Sequence, residues 1–178
     1  MTLDNEITKA IVEGNCKKLD FLQSPEFPYG CDEYGEPWIR VAVGLYNLDS
    51  IIWIIGKGVE LNLSKTQQRY DDGHTLLTVC IDGCLSDEAK ADREIQKNYL
   101  KIIHILVDAG CDINEEGWQL MAPLHYAIFG HNAEMAKELL SLGADPNVYC
   151  SIDNMGTAYD VAKEEDMMNV FDGYKRKS

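Results

Sequence analysis

Residues 122–147 read APLHYAIFGHNAEMAKELLSLGADPN, and this stretch decides the fold. It predicts two short helices with a turn at 130–132 between them, because apolar residues recur at helical spacing on either side. Pro123 suits a first helical position, where its missing N–H loses no hydrogen bond, and Gly143 suits a helix end that needs a positive φ. Helices of about three turns are marginal alone in water. The unit therefore needs neighbours that cover its apolar stripes.

Related units occur along the chain. The ending GADPN at 143–147 recurs as GVELN at 58–62 and as GCDIN at 110–114. The opening APLHYA at 122–127 has counterparts at 75–80 and, more weakly, at 37–42 and 157–162. These repeats resemble the ankyrin repeat, which combines a β-turn with two helices, opens with a TPLHxA-like motif and has a period of about 33 residues. The resemblance covers roughly residues 4–171, and it implies an all-α solenoid of about five helix pairs with short β-turn finger loops.

A single ankyrin repeat domain over residues 1–178 is the expected organisation. Its predicted parts are an N-terminal cap repeat at 1–30, internal repeats at 31–62, 70–114 and 117–147, and a C-terminal cap repeat at 148–173. The second repeat departs from the family pattern, since Arg40 stands where the family has His. The third repeat carries an insertion within 85–98 that is charged and lacks glycine and proline. This insertion is predicted to extend one or both helices rather than to form a loop.

The composition narrows the classes of partner. Acidic residues number 30 against 16 basic ones, which gives a formal net charge of −14. Such a charge disfavours nucleic acids and anionic membranes, since both need a basic face. The excess acid either keeps the protein soluble and monomeric or forms a surface complementary to a basic protein, and both interpretations stay open. The N-terminal sequence lacks a signal-peptide pattern, so we expect a cytoplasmic protein.

The sequence offers no catalytic set. It contains no HExxH, GxSxG or glycine-rich phosphate loop. Its six cysteines include no CxxC pair, and reduced structural thiols are favoured over metal or redox roles. His125 occupies the histidine position of the ankyrin motif, which implies a hydrogen bond between repeats. We therefore expect a protein that is not an enzyme and that has no cofactor and no metal site.

The resemblance implies a binding surface made of finger-loop tips and the exposed positions of each first helix. By register, the predicted contacts are Glu33, Tyr34, Glu36, Asp71, Asp72, His74, Asp82, Trp118, Gln119, Met121, Phe129, Asp153 and Asn154, with Glu164 and Glu165 nearby. This set combines acids with residue types that anchor interfaces, such as Tyr34, Trp118 and Phe129. Each anchor also has a purely structural interpretation, as packing beneath its own loop or between helices.

The expected function is protein binding through this acidic, aromatic-containing face. Small acidic ankyrin proteins with irregular insertions are similar in type to the immunity proteins that bacteria make against their own secreted toxins, which are often basic nucleases. A stoichiometric inhibitor of a basic partner protein, monomeric in isolation, is therefore one hypothesis. The alternative is a general scaffold or adaptor that links other proteins.

Overall fold

The computed structural model describes residues 3–22, 29–62 and 73–174, apart from the side chain of Trp118. Over these ranges the chain is mostly helical, in agreement with the predicted all-α class. The α-helices are, in chain order, α1 Leu3–Val12, α2 Cys16–Phe21, α3 Trp38–Gly44, α4 Leu48–Gly56, α5 Leu76–Leu85, α6 Asp87–Ala91, α7 Arg93–Asp108, α8 Pro123–Phe129, α9 Ala133–Leu142 and α10 Ala158–Glu164. Strands β1 Tyr149–Cys150 and β2 Gly156–Thr157 form an antiparallel pair, and 3₁₀ turns occupy Trp118–Leu120, Ile152–Asn154 and Met168–Phe171.

The chain divides into two compact units, Met1–Tyr70 and Asp71–Ser178. In the first unit, α1 packs on α2 and on α3, while α4 packs on α3 and on α2. The core of this unit contains Ile7, Ile11, Trp38 and Ile51, all fully buried. Two successive helix pairs thus cover each other's apolar stripes, as the sequence pattern requires.

In the second unit, α8 packs between α5 and α10, and α9 packs against α7 and the 3₁₀ turn at Met168–Phe171. Helices α5, α8 and α10 are therefore neighbours, and so are α7, α9 and the 3₁₀ turn at Met168–Phe171. After α10 the chain forms a 3₁₀ turn where the predicted cap repeat would have a second α-helix, and Val170 of this turn is buried. A capping box between Thr157 and Asp160 fixes the start of α10.

The insertion in the third repeat is helical, as predicted. Arg93 begins α7, which is 16 residues long and so extends beyond the usual second helix at its N-terminal end. The rest of the insertion forms the separate short helix α6, because Ser86 and Asp92 each cap a new helix with a side-chain oxygen. Ala89 of α6 is buried, which fixes the short helix against its neighbours.

Asparagine precedes the second helix in three of the pairs. Asn15, Asn47 and Asn132 accept hydrogen bonds from the backbone N–H three residues further on, at 3.0, 3.2 and 3.0 Å. Each amide oxygen satisfies a donor that the first helical turn leaves without an intrahelical partner. The turn that joins the two helices of a pair is therefore specified locally by sequence.

The repeated endings have a structural role. Gly58, Gly110 and Gly143 all have positive φ, at 83°, 99° and 108°. The acid two residues later accepts hydrogen bonds from the turn that follows, as Asp145 does from the N–H of Asn147 at 2.9 Å. Asn114 Oδ1 accepts from the N–H of Asp145 at 2.8 Å and so joins one ending to the next. The acids of these endings therefore serve the architecture of the turns.

Candidate protein-binding surface

We use the name first-helix face for the exposed residues of α5, α8 and α10 together with the loops that precede these helices in the second unit. The loop before α10 is the hairpin of β1 and β2. Met155 donates to the carbonyl of Ile152 at 2.9 Å, and the two residues between them, Asp153 and Asn154, have φ of 50° and 56°. Both are exposed at the tip, where short polar side chains tolerate the left-handed conformation.

The loop before α8 is held in the same way. Gly117 donates to the carbonyl of Met121 and accepts from the N–H of Leu120, at 3.1 and 3.0 Å. Gln119 is exposed at the tip, and its carbonyl accepts a hydrogen bond from Cys150 Sγ at 3.5 Å. Consecutive loops are thereby connected. The side chain of Trp118 lies outside the described part of the protein.

Met121 departs from the expected contact set. It is fully buried, so its side chain cannot reach a partner in this conformation. Leu120 is 44% exposed instead. Gln119 and Leu120 both have φ of 53°, and this irregular backbone moves the inward-facing position to Met121.

On the first-helix face, the Tyr126 side chain contacts those of Asp82 and His74. Tyr126 of α8 donates from its hydroxyl to Asp82 Oδ1 of α5 at 3.0 Å. The His74 ring packs edge-on against the Tyr126 ring, with centroids 5.6 Å apart. Phe129, three residues after Tyr126 and thus close to it on the helix, is 49% exposed. The sequence reasoning missed Tyr126, although its spacing from Phe129 could have identified it.

The acids at the end of α10 differ in their surroundings. Glu164 is exposed, whereas Glu165 Oε2 lies 2.9 Å from His131 Nε2. The two remaining predicted acids of this unit, Asp71 and Asp72, lie outside the described residues.

The predicted contacts of the first unit lie on the loop before α3. Asp32 Oδ1 accepts from the N–H groups of Tyr34 and Glu36, both at 2.9 Å, which fixes the loop tip. Glu33 is exposed, and Tyr34 is 87% exposed. Glu36 Oε1 instead lies 3.1 Å from Arg40 Nε, so this ion pair largely neutralises the charge of Glu36. Glu33 and Tyr34 are therefore the more accessible members of this group.

The surroundings of His125, Cys80 and Cys84 suit a structural role. His125 is fully buried, and its Nε2 donates to the carbonyl of Gly156 at 3.2 Å, which confirms the expected bond between repeats. Burial lowers the pKa of His125, which keeps the imidazole neutral. Burial likewise raises the pKa of Cys84 to about 12 and that of Cys80 well above its usual value. Such thiols are poor nucleophiles, because the thiolate is the reactive form.

Among residues 3–22, 29–62 and 73–174, no group of three or more His, Cys, Asp or Glu is placed to hold a metal ion. Within those ranges, no helix combines the length and the apolar character that crossing a bilayer requires.

Comparison with known proteins adds one match. None of the curated proteins compared with this chain is similar to it. The family model described as Ankyrin repeat matches residues 120–151, which contain the loop before α8, α8 itself, α9 and the start of the hairpin. The geometry of this stretch agrees with the repeat, since it holds a turn, two helices and a left-handed glycine at the end. The match at 120–151, together with the helical fold, supports the ankyrin repeat family for this protein.

Proposed function

We propose that the protein is a non-enzymatic protein-binding module, built as one ankyrin solenoid of five repeats with the boundaries predicted from the sequence. The observation that carries the proposal is the ankyrin repeat at 120–151, because ankyrin repeats generally bind other proteins. On this proposal the protein is a cytoplasmic monomer until it meets its partner.

The first-helix face favours a basic partner. Helix α5 carries Asp82, and α10 carries Asp160 and Glu164. Among the residues of α5, α8 and α10, Lys163 is the single basic residue of the Lys or Arg type. Acids at the rim of an interface accelerate encounter and fix orientation, but an exposed ion pair contributes only about 0–1 kcal/mol. Affinity therefore has to come from the aromatic residues, and Phe129 with Tyr126 supplies the exposed ring surface.

The proposed contacts are the accessible members of the predicted set. They comprise Glu33, Tyr34, His74, Asp82, Gln119, Phe129, Asp153 and Asn154, with Tyr126 and Leu120 added and with Asp71, Asp72 and Trp118 retained from the sequence alone. Met121 is omitted because it is buried. Glu36 is a weaker candidate because of its ion pair with Arg40.

Within this function, we favour a stoichiometric inhibitor of immunity type over an adaptor. The net charge of −14 favours rapid association with a basic toxin domain. An adaptor would leave the activity of its partner intact, whereas an inhibitor abolishes it at one protein per partner. The two roles are therefore separated by an activity titration of the partner.

The experiment compares three variants of the full chain. Phe129→Ala removes an exposed ring, Asp82→Asn removes a charge from the first-helix face, and Asp108→Asn removes an equal charge from the exposed end of α7 as the matched control. A partner is captured with the wild-type chain and identified, and its binding to each purified variant is measured at low and high salt.

We expect Phe129→Ala to weaken binding about tenfold, as loss of an interface anchor does. Asp82→Asn should slow association and flatten its salt dependence, while Asp108→Asn should behave as wild type. A partner that binds all three variants equally would contradict the proposed face. Failure to retain any protein would contradict the proposed function itself.

A further inference from the structure

A second surface lies in the first unit, on the side formed by its second helices. An open depression of about 710 Å³ is lined there by Glu13, Gly14, Asn15, Cys16, Lys17, Asp49, Ile52 and Trp53. These residues come from the turn between α1 and α2, the start of α2 and the outer side of α4. None of them belongs to the finger loops or first helices on which the proposed function depends.

The walls of the depression are held by hydrogen bonds. Asn47 donates from Nδ2 to the carbonyls of Ile11 and Val12 at 3.1 and 3.2 Å, which ties the start of α4 to the end of α1. Ser50 Oγ donates to the same Ile11 carbonyl at 2.7 Å, out of solvent. A Cβ on Gly14 would come within 3.2 Å of the Asn47 amide, so the turn fits closely against it. A ligand would find the shape already formed, which lowers the ordering cost of binding.

The depression also presents apolar surface that the core does not use. Ile51 and Ile54 of α4 are fully buried, whereas Ile52 is 55% exposed. Beside it, the Trp53 indole N–H donates to Asp20 Oδ1 at 2.9 Å, and Lys57 Nζ lies 4.6 Å from the ring centroid. The indole is therefore fixed in one orientation. An aliphatic chain can lie along Ile52 and Trp53.

The lining of the depression holds a slight excess of acid, since Glu13 and Asp49 face one base, Lys17. Glu13 Oε1 lies 3.8 Å from Lys9 Nζ, and Oδ1 of the nearby Asp20 lies 3.5 Å from Lys57 Nζ, so Asp49 is the acid proposed to meet a ligand. Burial raises the pKa of the Cys16 thiol, and the nearby charges of Asp49 and Asp20 raise it as well. The lining itself thus holds one more acid than base, which favours a cationic ligand.

We propose that this depression binds an arginine side chain carried on an apolar-flanked segment of a partner protein, with the guanidinium on Asp49 and the aliphatic stem on Ile52 and Trp53. Arginine suits the site because its planar guanidinium pairs with a carboxylate and stacks on aromatic rings. The proposal gives the protein a second protein contact, separate from the first-helix face.

The cysteine in the depression provides a specific readout. Cys16 and Cys31 are partly exposed, while the other four cysteines are buried. In a Cys31→Ser variant of the full chain, the rate at which a thiol reagent labels Cys16 is measured with and without the peptide acetyl-Leu-Arg-Leu-amide. The glutamine peptide acetyl-Leu-Gln-Leu-amide is the control ligand, and the protection ratio is compared within each variant because Asp49 itself affects the thiol.

The arginine peptide should slow labelling of Cys16 and shift the indole N–H resonance of Trp53, and the glutamine peptide should do neither. Asp49→Asn should weaken this protection about fivefold, as loss of an exposed ion pair does, and Ile52→Ser should also weaken it. Asp4→Asn, which removes an exposed acid from the first turn of α1, should leave it unchanged.

Two outcomes would overturn the proposal. Equal protection by the glutamine peptide would show that the depression does not select a cation. Absence of both protection and the resonance shift at the solubility limit of the arginine peptide would show that it does not bind one. Neither outcome bears on binding at the first-helix face, which is tested with Phe129→Ala.

Discussion

Replacing Asn47 by alanine tests how the two helix pairs of the first unit are joined. The side chain makes two kinds of contact. Its oxygen caps α4 by accepting from the N–H of Ser50, and its amide nitrogen donates to the carbonyls of Ile11 and Val12 in the neighbouring pair. Asn15 is the matched control, because the hydrogen bond that the structure gives its side chain is the cap itself, from the N–H of Lys18.

The expected magnitude follows from these bonds. Loss of an asparagine cap costs about 1 kcal/mol. The bond to Ile11 is partly buried and adds about 1 kcal/mol, while the exposed bond to Val12 adds less. The Ile11 carbonyl keeps its bond from Ser50, and the Val12 bond is exposed to water, so no buried acceptor is left unsatisfied. We therefore expect Asn47→Ala to lower the free energy of unfolding by about 2–3 kcal/mol, against about 1 kcal/mol for Asn15→Ala.

Urea unfolding followed by tryptophan fluorescence measures both variants. In a Trp118→Phe background the remaining tryptophans, Trp38 and Trp53, both lie in the first unit, so the signal reports on the unit that carries the change. Equal losses for the two variants would refute the reasoning, because the bonds between pairs would then contribute nothing beyond the cap. A change in the slope of unfolding free energy with urea would instead indicate altered cooperativity.

Three further changes test the second unit, each by chemical denaturation of the full chain. Leu139→Ala truncates a fully buried residue of α9 and should cost about 2–5 kcal/mol; a loss below about 1 kcal/mol would contradict its place in the core. Gly83→Ala should destabilise by about 1–3 kcal/mol, because its Cβ would lie 2.3 Å from the Tyr99 ring, whereas Gly56→Ala in the first unit meets open space and should be neutral or stabilising. Burial lowers the pKa of His125 in the folded state below the ordinary 6.5, so the unfolded chain takes up the proton first as the pH falls. The free energy of unfolding of the wild-type protein therefore decreases between about pH 7 and pH 5. His125→Gln should reduce this decrease.

Much of the repeat architecture could be predicted from the sequence because it is specified by local signals. A glycine that ends a helix, an asparagine that begins one and a proline at its first turn act within a few residues. Gly143 and Asn132 therefore behave as expected. The break between α6 and α7 has the same origin, since Asp92 is a cap residue inside a run of helix formers. This cap residue was visible in the sequence, but the prediction gave more weight to the helix propensity of the residues around it.

The binding surface was harder to predict because it depends on backbone conformations that the residue types do not indicate. Leu120 has a positive φ although it is not glycine, and nothing in its chemistry indicates this conformation. Met121 consequently points inward and Leu120 outward. The contact between Tyr126 and Asp82 joins residues 44 positions apart in two repeats of unequal length, so the register alone could not place them together.

Position within the repeat separates residues that hold the fold from residues free to recognise a partner. Asp112 and Asp145 recur at one position and use their carboxylates on the N–H groups of the following turn. Such acids contribute to the electrostatic field of the protein, but hydrogen bonds within the chain hold their carboxylates in place. Asp82 and Phe129 share one register position but have unlike side chains, so the repeat does not dictate the residue there, and both lie exposed on first helices. Selection for a partner can act on these positions without disturbing the stack, since surface substitutions cost little stability. Specificity in this protein should therefore reside at its non-recurring exposed positions.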